Sequence, residues 1–158
     1  MGANPLTSDG YEKLSKELSS MMNKNRTEVA KEIESARAHG SLDENDEYKC
    51  AKEKQERLEN KIAHLNEYLS ASQIIKSSDI IKNGSVVFGS RVRIMDCDTE
   101  EEKIFRIVGV LESNVSEGQI SYQSPLARSL LGRIAGDDVE VEVPSGVKYW
   151  DVLEVLYD

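Results

Sequence analysis

Two long segments without proline or glycine constrain this chain more than any other feature. Neither residue type occurs in 11–39 or in 41–83. Both segments carry apolar residues at helical spacing: Leu14, Leu18, Met21, Met22, Val29, Ile33 and Ala36 in the first, and Tyr48, Ala51, Leu58, Ile62, Leu65 and Leu69 in the second. Thr7, Ser8 or Asp9 is expected to cap the start of the first helix. Two helices that each have one narrow apolar stripe are expected to pack as a coiled coil.

The two stripes match if the chain folds back on itself. Leu14 then faces Leu69 and Ala36 faces Tyr48, so that the residue numbers of each pair add up to 83 or 84. This register predicts a turn near residue 42, with Gly40 as a flexible helix end just before it. A helix of about 30 residues extends roughly 45 Å at 1.5 Å per residue, so the turn would lie at the far tip of a long hairpin.

The stripe is imperfect near the predicted tip. Asn25 would face Leu58, and Val29 would face Lys54 or Gln55. One interpretation is a weakly packed and partly hydrated stretch. The other is a polar notch that fixes the register of the two helices, which is a known use of buried polar residues in coiled coils.

The second half of the chain changes from helical to alternating periodicity. The segments that predict strands are 85–88, 91–95, 103–108, 119–122, 139–143 and 149–155. The acidic run from Asp96 to Glu102 is expected to be a solvated connection. Ser124 and Pro125 form an N-cap and first helical position for one short helix. The predicted fold class is α+β: an antiparallel coiled-coil hairpin in residues 1–76, then a small, mainly antiparallel β domain in 83–158.

Four carboxylates crowd into five positions at the predicted tip: Asp43, Glu44, Asp46 and Glu47. Carboxylates without cysteine or clustered histidine favour Mg²⁺ or Mn²⁺ over zinc. A turn has too little surrounding protein for a complete metal site, so one hypothesis is that the tip donates a ligand to a metal held by another protein. The alternative is that the acids solvate a loop and stabilise the N-terminus of the second helix.

The charge balance limits how this chain could contact nucleic acid. The formal net charge is −9, which argues against a general nucleic-acid coat protein. Any such contact would need a local patch, and basic residues do flank the tip: Arg37, His39, Lys49, Lys52, Lys54 and Arg57. Glutamates interrupt this patch, and pairs of opposite charge at helical spacing explain part of it.

The location of the protein can be predicted from what is absent from the sequence. There is no apolar run long enough to span a membrane and no secretion signal at the N-terminus, so a cytoplasmic protein is expected. Cys50 and Cys97 form no CxxC pair and are expected to be reduced thiols without a catalytic role.

Several segments resemble one bacterial family in order along the whole chain. Residues 36–48 and 51–55 resemble the hairpin tip of the GreA branch of the Gre transcription elongation factors. The start of that family is similar to 6–14, and its C-terminal domain is similar to 86–92, 124–132 and 136–141. The resemblance implies a C-terminal domain of FKBP-like shape that docks on the rim of the secondary channel of RNA polymerase.

The same resemblance implies roles for individual residues. Glu44 would help to hold the second Mg²⁺ of the polymerase, and the polymerase then cuts the extruded 3′ end of the nascent RNA. The family's other acid corresponds to position 41, and Asp43 is a candidate to replace a charge missing there. Arg37 and Lys52 would contact that RNA. Ser124 and Pro125 would dock on the polymerase. The protein would be a monomeric activator with no cofactor of its own, since the polymerase supplies the Mg²⁺.

One departure from the family pattern bears on activity. The family has an aspartate directly after the tip glycine, where this chain has Ser41, a much poorer Mg²⁺ ligand. Asp43 and Asp46 lie where the pattern is loose. An alternative is therefore a non-cleaving Gre homologue that occupies the channel and modulates or inhibits the polymerase. A prolyl isomerase or chaperone is a third hypothesis, based on the FKBP-like fold alone, which is weak evidence for activity.

Overall fold

A computed structural model describes residues 4–40 and 45–158. The chain divides into two compact units, residues 11–72 and residues 4–10 with 73–158. The elements in chain order are β1 (Asn4–Thr7), α1 (Ser8–Ser20), a π-helix (Met21–Asn25), α2 (Arg26–Arg37), α3 (Asp46–Ser70), β2 (Ser72–Ile75), β3 (Arg91–Asp96), β4 (Glu102–Val108), β5 (Gln119–Ser121), α4 (Pro125–Leu130), β6 (Asp138–Val143) and β7 (Gly146–Leu156). This order confirms the predicted α+β class.

The first unit is a hairpin of helices whose apolar stripes face each other. Val29, Leu58 and Ile62 form its buried cluster. The partly buried residues packed against this cluster are Leu18, Met21 and Ile33. The expectation that Val29 faces Lys54 or Gln55 is wrong, because Val29 packs with Leu58 and is only 4% exposed.

The π-helix accounts for this difference in register. The Arg26 amide donates to the Met21 carbonyl, five residues back, instead of the usual four. A π turn contains an extra residue, so every position beyond it is displaced by about one along the partner helix. The hydroxyl of Thr27 donates to the Asn23 carbonyl at 2.7 Å, which satisfies a backbone acceptor within the irregular turn.

The second unit is built on a five-stranded sheet with the order β5-β4-β3-β7-β6. Its pairs are antiparallel except that β4 and β5 run parallel, which was not expected; the segment between them contains two 3₁₀ turns, Val110–Glu112 and Val115–Glu117. One sheet face and α4 enclose the core, made of Val86, Val92, Ile94, Phe105, Ile107, Ile120, Ala127, Leu130, Val139, Val141, Trp150 and Val152. The predicted segments 91–95, 103–108, 139–143 and 149–155 all lie in strands of this sheet.

Two sequence-based expectations about this unit are wrong. Residues 85–88 do not form a strand. Only Ser85 makes a bridge, to Ile134, and the Ser90 hydroxyl closes a turn by accepting from the Val87 amide at 3.0 Å. The acidic run after β3 is not wholly solvated either, because Asp96 is 4% exposed. Hydrogen bonds from the backbone amides that follow Asp96, and an ion pair with Lys148 at 3.4 Å, lower the pKa of its carboxyl.

The N-terminal residues form a strand that the sequence did not predict. β1 pairs with β2 in a two-stranded sheet, and the side chain of Leu6 is completely buried. Glu112 fastens this strand: its carboxylate accepts from the Thr7 amide at 3.0 Å, from the Thr7 hydroxyl and from the Gly109 amide at 2.8 Å. The Thr7 oxygen in turn accepts from the Gly10 amide at 3.0 Å, which confirms Thr7 among the three candidate N-caps.

None of the helices in residues 4–40 and 45–158 combines the length and the apolar character that crossing a bilayer requires.

Candidate functional site

The candidate site is the tip of the hairpin, and the structure describes its frame. α2 ends at Arg37 and α3 begins at Asp46. Ser41, Asp43 and Glu44, the candidate metal-binding residues, lie outside the described residues, so their roles stay predictions. The flanking residues nevertheless define how the two helix ends are joined.

Asn45 holds the two helix ends together. Its side-chain amide donates to the carbonyl of Ala36, in the last turn of α2, at 2.5 Å. Its side-chain oxygen accepts from the Tyr48 amide at 3.1 Å, so that Asn45 is also the N-cap of α3. One side chain therefore contacts the last turn of α2 and the first turn of α3. This role of Asn45 was not predicted from the sequence, although asparagine is among the preferred N-cap residues.

The two acids that follow Asn45 have local structural partners. Glu47 accepts from His39 at 2.8 Å across the tip, with the two side chains 68% and 61% exposed. Asp46 and Glu47 also lie in the first turn of α3, where negative charge stabilises the helix N-terminus. These contacts support the structural interpretation for Asp46 and Glu47.

The basic residues beside the tip are exposed, but some of them pair within the hairpin. Arg37 is the last residue of α2 and is exposed. Lys52 is exposed as well, and its ammonium donates to the Gln55 side chain at 3.0 Å. Lys54 pairs with Glu32 at 2.8 Å. Arg37 and Lys52 are thus accessible to a phosphate backbone, and their contact with RNA stays a prediction.

The predicted docking residues lie in the other unit, at the start of α4. The Ser124 hydroxyl accepts from the Ala127 amide at 3.3 Å, which confirms the predicted N-cap. Pro125 occupies the first helical position and is exposed. The hydroxyl of Ser124 therefore has a structural use, while Pro125 offers surface to a partner.

Other potentially reactive groups in the described part of the chain do not form a second candidate site. Within residues 4–40 and 45–158, no three histidine, cysteine or carboxylate side chains are grouped to hold a metal ion. Cys50 and Cys97 are free and exposed. Desolvation by the surrounding protein atoms and the neighbouring carboxylate of Asp151 raise the pKa of the Cys97 thiol, which opposes formation of a reactive thiolate.

Asn45→Ala is expected to loosen the tip without unfolding the hairpin. The change removes the helix cap and the bond to Ala36, and lost caps typically cost about 1 kcal/mol. Amide hydrogen exchange should therefore quicken at Tyr48 and its neighbours, while exchange at Ile62 stays as in the native protein. Asn45→Asp is the matched control, because it keeps the cap acceptor and removes only the donor to Ala36. Unchanged exchange in Asn45→Ala would contradict the assigned role.

Comparisons with known proteins find relatives of this chain that match both of its units. The family description "Transcription elongation factor, N-terminal" (GreA/GreB) matches residues 4–74, and "Transcription elongation factor, GreA/GreB, C-term" matches residues 81–157. A transcription elongation factor GreA from Nautilia profundicola is 47% identical over 100% of this chain and 97% of its own length. A second, from Neisseria meningitidis serogroup B, is 43% identical over 97% of each chain.

Solved structures give a weaker match. The crystal structure of GreA factor homologue 1 from Thermus thermophilus covers 97% of this chain and 98% of its own, with 26% identity and a TM-score of 0.42. The sequence matches, by contrast, extend over both units at more than 40% identity. The chain therefore belongs to the GreA/GreB family of transcription elongation factors.

Proposed function

We propose that this chain is a GreA-type factor that acts in the bacterial cytoplasm as a monomer. It enters the secondary channel of RNA polymerase and stimulates cleavage of the 3′ end of backtracked RNA, which rescues arrested complexes. The observation that carries the proposal is the identity of 47% with a GreA factor over the full chain. The two helix ends joined by Asn45, with Asp43 and Glu44 between them in the sequence, also fit a tip that is presented to another protein.

In this proposal the polymerase performs the chemistry and the factor completes its site. Mg²⁺ in the polymerase polarises phosphoryl oxygens and lowers the pKa of a bound water. Mg²⁺ keeps several waters and needs only one or two protein carboxylates, so a single donated side chain is sufficient. Glu44 is that ligand, with Asp43 as the second acid of the loop. Arg37 and Lys52 hold phosphates of the extruded RNA.

Docking is assigned to the other unit. Pro125 is exposed at the N-terminus of α4, next to the capping residue Ser124, and this corner contacts the rim of the channel in our proposal. Proline restricts the backbone of this corner, so that little conformational entropy is lost when a partner binds.

The test is transcript cleavage in a halted, backtracked polymerase. Radiolabelled RNA should become shorter when the purified protein is added with Mg²⁺, and polymerase without the factor is the control for intrinsic cleavage. The RNA product should carry a 3′ hydroxyl from which the polymerase resumes synthesis. Failure of the native protein to shorten the RNA in either Mg²⁺ or Mn²⁺ would contradict the proposal.

Ser41→Asp is expected to raise the rate of stimulated cleavage by about 10-fold or more, by analogy with the roughly 10²–10³-fold loss of kcat when one oxyanion-hole donor is removed. The substitution restores a charged oxygen where the family has aspartate. Ser41→Asn is the control of matched size without charge, and its rate should stay near the native one. A native protein without activity beside an active Ser41→Asp variant would favour the non-cleaving alternative. Equal rates for all three would mean that position 41 does not contact the metal.

A further inference from the structure

The apolar stripe of the hairpin does not by itself define one register. One buried cluster, in the middle of the hairpin, consists of only three residues, Val29, Leu58 and Ile62. Further buried side chains lie towards the two ends of the stripe: Leu14, Ala36, Ala51, Leu65 and Leu69. Asn25, half-buried, interrupts the stripe on the first arm. Residues three or four apart lie on the same helix face, so a slip by that number keeps apolar residues opposed. Polar contacts across the hairpin therefore add to the apolar packing in selecting the register.

Two ion pairs across the hairpin provide such a selection. The guanidinium of Arg26 donates to both carboxylate oxygens of Glu59, at 2.8 Å each. These hydrogen bonds raise the pKa of Arg26 and lower that of Glu59. Closer to the tip, Lys54 donates to Glu32 at 2.8 Å. The residue numbers of the two pairs add up to 85 and 86, so both report nearly the same register.

Arg26 occupies a special place in the chain. It directly follows the π-helix, and its own amide makes the last five-residue hydrogen bond, to Met21. The π-helix displaces the residues of α2 along α3. Arg26 is the first residue of α2 and therefore the first residue after this displacement. A bidentate pair between arginine and carboxylate is directional, which a lysine at this position would not reproduce.

We propose that Arg26 and Glu59 are positioning residues, which lock the hairpin in the register set by the π-helix and so fix the tip along the hairpin axis. This inference rests on the proposed function in transcript cleavage. A slip of three residues would move one arm by roughly 5 Å along its partner at 1.5 Å per residue. A Mg²⁺ ligand must approach within about 2.1 Å, so a tip displaced by that amount could not bind the metal.

The register can be measured without the polymerase. Spin labels on the native Cys50 and on Ser35→Cys, in a full-length Cys97→Ser background, report the distance between α2 and α3, because both positions line the same groove near the tip. A single narrow distance distribution is expected. Glu59→Arg should broaden or shift it by roughly 5 Å, and the double variant Arg26→Glu/Glu59→Arg should restore it. Glu56→Arg, an equal charge change at an exposed site on α3, is the matched control.

Cleavage assays then connect the register with activity. Glu59→Arg should lower the cleavage rate at saturating factor by about 10-fold, because small misplacements of a reacting group have large effects on rate. The factor concentration for half-maximal effect should change by less than about 2-fold, since the docking unit is unaltered. Arg26→Glu/Glu59→Arg should recover most of the rate, which general destabilisation would not allow.

The possible results separate this inference from the proposed function. If the native protein does not stimulate cleavage, the proposed function is wrong. The positioning role is then wrong as well, even if the spin labels report a single narrow distance that depends on Arg26 and Glu59. If the native protein cleaves but Glu59→Arg changes neither the distance nor the rate, the lock is overturned while the proposed function stands. A changed distance with a native rate overturns the positioning role.

Discussion

Glu44→Ala is expected to reduce factor-stimulated cleavage by about 10²-fold or more, by analogy with the roughly 10²–10³-fold loss when one stabilising donor is removed from an active site. The loss would be large because the neighbouring residue Ser41 offers no second strong ligand. With one carboxylate gone, the polymerase would bind its second Mg²⁺ with water in place of the donated oxygen. The remaining cleavage should approach that of polymerase without factor.

The experiment measures cleavage rate against factor concentration and against Mg²⁺. Glu44→Gln keeps the size of the side chain and removes its charge, so it should be nearly as inactive as alanine if the group is a metal ligand. Glu67→Ala removes an exposed carboxylate from α3 far along the sequence from the tip, and it should be fully active. More Mg²⁺ should partly rescue Glu44→Ala, because weaker metal binding is compensated by concentration.

Competition distinguishes a failed ligand from a failed interaction. An inactive Glu44→Ala protein that still binds polymerase should inhibit cleavage by the native factor, with an inhibition constant close to the native half-maximal concentration. A Glu44→Ala protein that cleaves at the native rate would show that Glu44 is not the donated ligand. The assignment would then pass to Asp43, the other acid in the loop.

The helical hairpin was predictable because its evidence is local and repeated. A long helix with one apolar stripe buries that stripe most readily against another helix. Because the chain has two matching stripes, the two helices are expected to fold back on each other. The π-helix was not predictable, because no residue type in Met21–Asn25 demands it. It displaced the residues beyond it along the partner helix, which is why Val29 was assigned the wrong neighbours.

The location of the candidate site was predictable, whereas its supporting contacts were not. Charge density and the stripe arithmetic identify residues 41–47 as a tip from sequence alone. The double role of Asn45 requires the ends of α2 and α3 to be close together in space, which no local pattern reveals. The same holds for Arg26 and Glu59, which are 33 residues apart and appear in the sequence as two ordinary surface charges.

Strands were predicted correctly where apolar and polar residues alternate over many positions. The prediction failed where contacts with residues distant in the sequence determine the local structure. β7 and β3 have clear alternation and form the centre of the sheet. Residues 86–88 are apolar and at least partly buried, but they do not continue as a strand. The chain turns directly after them, at Gly89, which has a positive φ of 86°. The strand β1 could not be predicted from its own sequence, because it has only four residues and one of them is proline. It forms a strand because it pairs with β2, which is distant in the sequence.

Leu6→Ala is expected to destabilise the second unit by about 2–5 kcal/mol, the range for removing a fully buried leucine side chain. Leu6 is 0% exposed, and a methyl group on Gly109 would come within 2.9 Å of its Cδ2 atom, so little space exists for neighbours to relax. Glu112 ties the adjacent Thr7 to the same region. β1 is therefore expected to be part of the core of this unit although it precedes the hairpin in the chain.

Trp150 is the only tryptophan of the chain and lies in the core of this unit, so its fluorescence reports the unit's unfolding selectively. In urea, Leu6→Ala should lower the midpoint of the fluorescence transition with an unchanged slope. Leu111→Ala makes the same chemical change at a side chain that is 41% exposed, and its stability should stay within about 0.5 kcal/mol of the native protein. If both variants unfolded at the native midpoint, β1 would be a dispensable extension. A large shift for Leu6→Ala alone would establish that the N-terminal strand stabilises the unit to which docking is assigned.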